Sequence, residues 1–308
     1  MLTLGEVHTG FLRNSTSVSR ERCAQVLALI RGERVRRSER PQAYAVSPEK
    51  LRGVDCRLVA ASRSRHRVIG TVTARAAITG GHALQASAYA QITSSPADRR
   101  LPWAHYLTRP GVLELLGKVD WEDAADGFLS EAHPPEGLDL GGVCADVTHA
   151  VQTSALLDQK APVRTGRTRL RWAAFTPTGG NAIVRFGIEE RGLRTLRLSA
   201  DGRDPAAMAA VCEDLALHDW LLACLQALIE GSDIGAVDRA QLVRRFGPAI
   251  DHLLHLWMPA ARVDRTIWDA LEHRPGLTRQ WNASVSRIRD QVAVATVALL
   301  SDAARVGT

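Results

Sequence analysis

The side chains in this 308-residue sequence that could do chemistry gather in its last third. Asp251 and His255 stand four residues apart in AIDHLLHLW (249–257). At helical pitch that spacing puts a carboxylate and an imidazole on one face. His218 and Asp219, in EDLALHDWLL (213–222), could complete a metal site with them and His252. The competing reading is that these are core histidines, satisfied by backbone carbonyls or neighbouring carboxylates. That second reading is preferred, so no metal, no cofactor and no catalytic residue is expected. Glu213 and Asp214 could be a carboxylate pair, but adjacent helical positions diverge by about 100° and do not meet at one substrate atom. Solvation at the surface is the expectation for both.

Familiar nucleotide signatures are missing. Gly117-Lys118 is followed by Val119, not by the Ser or Thr of a phosphate-binding loop, and no GxGxxG follows a strand pattern. Ser47-Pro48-Glu49-Lys50 has the SxxK spacing of penicillin-binding enzymes without their SDN and KTG partners, and Ser47 before Pro48 fits a helix N-cap better. The candidates for binding an anion or a partner are basic. Arg167, Arg169 and Arg171 alternate along a strand pattern, which would set three guanidinium groups in a row. Arg99 and Arg100 precede Trp103 in DRRLPWAHYLTR (98–109), where an aromatic beside arginine can stack a base or anchor another part of the same protein.

These groups need elements to position them. With 45% hydrophobic and 23% charged residues the chain has a globular composition, and its length favours two domains. No apolar run reaches the roughly 18 to 20 residues that cross a bilayer, and MLTLGEVHTG lacks the basic and apolar regions of a signal peptide. A cytoplasmic location is expected. Five scattered cysteines without a CxxC pair argue for buried thiols, not for disulfides or zinc. The basic residues are 36 Arg and 3 Lys. Net charge is +10 over residues 1–120, −7 over 121–160, +6 over 161–203 and −3 over 204–308. Opposite charges on two modules favour their docking on each other as simply as they favour an external polyanion.

The organising stretch is Asp204 to Trp257. Asp204 before Pro205 fits a helix start, and two apolar faces run to a C-cap at Gly231, so this helix must be buried on more than one side. A second helical pattern spans Leu242 to Trp257, interrupted at Pro248, and two further helices are expected over 264–273 and 276–304. Before them, residues 2–13 alternate as a strand and Ser19 caps a helix ending near Gly32. RGERVRRSER (31–40) is expected as a solvated loop. Short strands are expected over 44–46 and 54–59, and a long hairpin over 67–79 and 82–93 turns at Gly80-Gly81. Val112 to Leu116 is expected to be helical, 120–139 an acidic junction and 140–157 a helix. Strands return over 167–172, 183–189 and 193–199. The fold class is α+β: a mixed or antiparallel, β-rich part over 1–203, with an acidic junction near 120–160, and a helical bundle over 204–308.

In RRLPWAHYLTRPGV (99–112), CEDLALHDWLL (212–222) and AIDHLLHLWMPAARV (249–263) the chain resembles a family of uncharacterised actinobacterial proteins, from the N-terminal GEV and RPQAYAVSPEKLRGVDC (40–56) nearly to the end. Members are typically encoded beside a variant P-loop protein and a SAM-dependent methyltransferase. The resemblance implies a subunit of a multi-protein system and brings no site residues. His218-Asp219 is also similar to the adjacent pair of HD phosphohydrolases, whose other ligands have no clear counterpart. Three functions follow as expectations. The first is a non-enzymatic assembly or adaptor protein that binds partner proteins or copies of itself, with the P-loop protein as a candidate partner. The second is a nucleic-acid binder using the arginine face, and the third a metal-dependent hydrolase.

Overall fold

A computed structural model of the chain describes residues 2–38, 43–97, 99–130, 136–163, 165–175, 184–189, 192–199, 202–230, 246–247, 252–273 and 275–306. The fold is α+β. Among the described residues, ten strands form one mixed sheet: β1 (Leu2–Phe11), β2 (Arg36–Ser38), β3 (Tyr44–Val46), β4 (Lys50–Val59), β5 (Arg65–Thr79), β6 (Ala83–Ser94), β7 (Val112–Leu115), β8 (Thr168–Phe175), β9 (Val184–Ile188) and β10 (Leu193–Ser199). Their order is β2-β3-β5-β7-β6-β1-β8-β10-β9, with β4 on the outer edge of β5 and β5 also pairing directly with β6. Pairing is antiparallel except for β6 with β7 and β10 with β8.

Period-two alternation in the strands sorts side chains onto two faces. In β1, Val7 and Phe11 enter one core while Leu2 and Leu4 enter the other. The second face is covered by α1 (Arg20–Val26), α3 (Trp121–Leu129) and α4 (Leu140–Gln152). Ala86, Ala88 and Ala90 of β6 are all buried there, and their small side chains let α4 lie close to the strands. Ser19 caps α1 by accepting from the Arg22 amide. Gly80 and Gly81, at φ +60° and +70°, make the β5–β6 turn where positive φ was expected.

The first face carries α5 (Pro205–Glu230), which packs on β1, β6 and β8. Asp204 caps it, its Oδ1 accepting from the Ala207 amide at 2.8 Å. The two apolar faces of this helix have separate uses: it is buried along its length between the sheet and α8 (Leu277–Val306). The boundary expected between residues 203 and 204 therefore falls inside one core, which joins Leu170, Trp172 and Leu196 of the strands to Leu215, Trp220 and Leu225 of α5. Gly5 makes room for Trp172, because a Cβ there would lie 2.3 Å from the indole. Completing the chain are α2 (Trp103–Leu107), α6 (Pro259–Arg262) and α7 (Arg265–His273). No described helix is long and apolar enough to cross a membrane.

Several local expectations are corrected. Residues 112–115 form a strand, because VLEL pairs in a fork between β5 and β6 that local periodicity cannot register. Residues 36–38 of the charge run form the edge strand β2. The acidic junction contains α3, capped by Asp120 and docked on β8. The helix from Leu140 ends at Gln152. In 242–257, Leu254–Leu256 make a single 3-10 turn, while 242–245 and 248–251 lie outside the described residues.

Candidate functional site

The polar groups inside this sheet form carboxylate-centred networks, and each candidate from the sequence is placed by one of them or by its distance from them. Beneath α3 and α4, the buried Glu6 carboxylate on β1 collects three donors. The His8 Nε2 donates at 2.9 Å, Arg169 Nε at 3.0 Å and Arg171 Nε at 3.1 Å. Arg171 also donates to the backbone carbonyls of Phe128 at 3.2 Å and Ser130 at 2.7 Å. Burial opposes the charged form of Glu6, but the His8 hydrogen bond and the charges of Arg171 and Arg169 outweigh it and hold its pKa at about 2. Register explains the set, since Glu6 pairs with Arg171 and His8 with Arg169 across the β1–β8 ladder. Within the row of three guanidinium groups, Arg171 is buried, Arg169 is half exposed and bonded to Glu6, and Arg167 is exposed and lies over Gly10.

Beneath α5, Arg75 of β5 donates through Nε to Glu213 Oε1 at 2.7 Å and through Nη2 to Oε2 at 3.0 Å. Its Nη1 reaches Glu49 at 3.2 Å, and Glu49 accepts from the Tyr89 hydroxyl at 3.0 Å. Ser87 donates to Glu213, whose backbone carbonyl accepts from Gln85 at 2.7 Å. Asp214 turns away to Arg262, which donates to it at 2.8 Å and lies over the Tyr44 ring. Burial raises the Asp214 pKa to about 6 despite Arg262. The two carboxylates diverge as helical geometry requires, but both are largely buried and neither is a surface solvating group.

Among the described residues, the candidate metal ligands do not come together. The His218 Nδ1 donates to the Asp214 carbonyl at 2.6 Å and its Nε2 accepts from the Met258 amide at 3.3 Å, so both ring nitrogens are occupied. Asp219 accepts from Arg194 at 2.9 Å. His255 is exposed beside the β5–β6 turn, near Gly80, and His252 packs at a tilt against His82 with ring centroids 4.3 Å apart. Asp251 lies outside the described residues. Among the described residues, no three His, Cys, Asp or Glu side chains are arranged to hold a metal ion. All five cysteines are free, and burial pushes the Cys23 thiol up to about 11 and that of Cys56 to about 12, away from nucleophilic reactivity.

Ser47 is no helix cap. It is a buried strand connector whose hydroxyl accepts from the Ala76 amide and donates to the Pro48 carbonyl, each at 2.9 Å. Trp103 packs over Gly53 of β4, and the Arg100 guanidinium lies 5.6 Å from its ring centroid while donating to Asp55 at 3.2 Å. This cluster anchors α2 to the sheet, with Arg99 exposed beside it. Sequence reasoning missed Glu6, Glu49, Arg75 and Glu114. Glu114, on β7, accepts from His105 at 2.7 Å and Arg109 at 2.5 Å. Glu6, Arg75 and Glu114 share one signal, a charged residue whose immediate strand neighbours are apolar or small; Glu49, before the charged strand β4, has none.

The acidic segment is consumed internally as well. Glu122 and Asp126 of α3 hold Arg197, Glu136 holds Arg57, and Asp146 of α4 holds Arg52. Compared with protein-family models, curated proteins and solved structures, this chain matches none of them.

Proposed function

We propose that this chain is a non-enzymatic assembly or adaptor subunit that binds a partner protein through the end of its last helix. The observation that carries this reading is VAVATVALL (292–300) on α8. One side of that segment enters the core through Ala295 and Val292, yet Val294, Val297 and Leu300 are 71%, 68% and 67% exposed. A segment apolar at every position but Thr296 is normally covered on more than one side. Steps of three residues keep the exposed trio within about one third of the helix circumference, so a single partner surface could cover it. The network geometry is consistent with a structural role, because the charged groups on the sheet faces are bonded to one another and hold elements together.

The variant P-loop protein encoded beside members of the resembling family is the first partner to test. The purified chain is measured by light scattering alone and mixed with that protein, in the native form and as Val294→Asp/Val297→Asp. A complex, or a self-associated species, that the double variant abolishes is expected. A monomer whose mass neither the mixture nor the substitution changes would refute the proposal. The hydrolase reading loses its basis at His218 and Asp219, whose polar atoms are committed to Asp214, Met258 and Arg194.

A further inference from the structure

We propose that the arginine-rich corner formed by α1, the turn that follows it and edge strand β2 binds the phosphate backbone of a nucleic acid. Arg20 and Arg22 lie on α1, Arg31 and Arg34 on the turn, and Arg36 and Arg37 on β2, all of them exposed. Two acidic residues, Glu21 and Glu33, share this stretch, leaving it with a net charge of +4. Arg22, Arg31, Arg34 and Arg36 make no ion pair with another described residue.

The corner has shape as well as charge. Adjacent β2 residues point to opposite sides. Arg37 lines a groove of about 480 Å³ beside α1, with Arg20, Glu21, Ser17 and Ser19; the one carboxylate is outnumbered by two guanidinium groups. Arg36 and Arg37 both line a second groove of about 390 Å³, which runs under the first turn of α5. Both grooves share Arg37, Ser38 and Tyr44, so the edge strand forms a basic ridge between two troughs. The second trough does not suit a lone phosphate, because Asp204 lines it and its floor cation, Arg75, is already matched by Glu213 and Glu49.

Guanidinium groups distributed along a ridge fit a ligand with repeated phosphates, each taking one planar, bidentate donor. The acidic segment of a second copy is a weaker match, since its Glu122, Asp126, Glu136 and Asp146 already hold arginines of their own chain. This site is separate from the α8 surface, and each can fail without the other.

The test is fluorescence anisotropy with a labelled poly(U) 20-mer and a 20-base-pair DNA duplex, in KCl from about 25 to 200 mM, a range over which binding to phosphates weakens steeply. Arg34→Gln/Arg36→Gln/Arg37→Gln is compared with the native chain, and Arg265→Gln, altered at a fully solvated arginine on α7, serves as control. The triple variant is expected to bind at least about tenfold more weakly at about 50 mM KCl. The slope of log K against log salt is expected to fall by about two, at about 0.7 for each phosphate of a single strand that is no longer neutralised. Arg22→Gln/Arg31→Gln, on α1 and the turn after it, should shift both quantities in the same direction, with circular dichroism confirming that each variant is folded. Absence of binding at about 25 mM KCl would overturn the proposal, as would identical affinity and slope in the variants. Displacement by poly-glutamate as effective as by unlabelled RNA would also overturn it, by making the corner an acidic-protein site.

Discussion

Replacing Glu6 with Gln is the sharpest perturbation of the fold, because one carboxylate organises His8, Arg169 and Arg171 beneath α3. Its folded pKa of about 2 lies below the ordinary 4.5. A depressed folded value means that the stabilisation is complete above about pH 4.5 and is lost as pH falls toward 2. At about 1.4 kcal/mol per pH unit, the gap corresponds to about 3 kcal/mol at pH 7. Glu6 and Arg171 are 1% and 5% exposed, so solvent screening takes little from that figure, and Gln leaves Arg171 without its carboxylate. Urea unfolding of both proteins at pH 7 and pH 3 checks it. The native chain should exceed Glu6→Gln by about 3 kcal/mol at pH 7 and by roughly half of that at pH 3. Other carboxylates also titrate in this range, but they cancel in the difference between the two proteins. An equal difference at both pH values, or no difference at pH 7, would refute the assignment of Glu6 as the charged centre of the network.

Three further substitutions follow from the same packing. Gly5→Ala places a Cβ 2.3 Å from Trp172 and should cost about 1–3 kcal/mol in thermal unfolding; an unchanged melting temperature would mean the indole does not occupy that space. Gly80→Ala combines φ +60° with a Cβ 2.5 Å from Leu256, and should lower the melting temperature and loosen the segment from His252 to Trp257, read as faster amide exchange there. Asp214→Asn acts in the opposite sense. Its raised pKa of about 6 means that its favourable contribution is complete below pH 3.8 and is lost as pH rises through 6. The Asn variant should therefore equal the native chain or exceed its stability by up to about 2 kcal/mol at pH 8. A urea midpoint showing a clear loss at pH 8 would instead mean that attraction to Arg262 outweighs the cost of burying the Asp214 charge.

Elements with strong local signals were legible in the sequence. The two-faced apolar pattern of α5, the Gly80-Gly81 turn and the alternation of β1 and β8 each follow from period and turn chemistry. What was not legible depends on register. Arg169 and Arg171 form the alternating pattern expected of them, but only the pairing of β1 with β8 sets Glu6 opposite Arg171 and turns the row into a closed network. The same holds for β7, whose four residues become a strand only because β5 and β6 diverge around them. His218 shows the limit for the helices, since its partners are a carbonyl one turn back and an amide forty residues ahead.

Charge tells the same story at the scale of the chain. The excess of +10 over residues 1–120 and the deficit of −7 over 121–160 invite a picture of two modules held together by opposite fields. The pairing is more specific than that. Carboxylates of the acidic segment each take a named arginine from strands on both sides, Arg52 and Arg57 on β4 and Arg197 on β10, which ties α3 and α4 to the sheet. Such pairs consume basic residues wherever a helix crosses them. The basic stretch from Arg20 to Arg37 lies on α1, its turn and the edge strand β2, away from those crossings, and keeps its excess charge at the surface. An edge strand bordered by arginines also resists pairing with a stray strand, so charge there protects the sheet while leaving its guanidinium groups able to meet an anion. Protection of the edge alone would require only charge on β2; arginines on α1 and the turn widen the basic surface beyond what that role needs. Binding of nucleic acid that falls when Arg22 and Arg31 are neutralised would show that the wider surface has a use of its own.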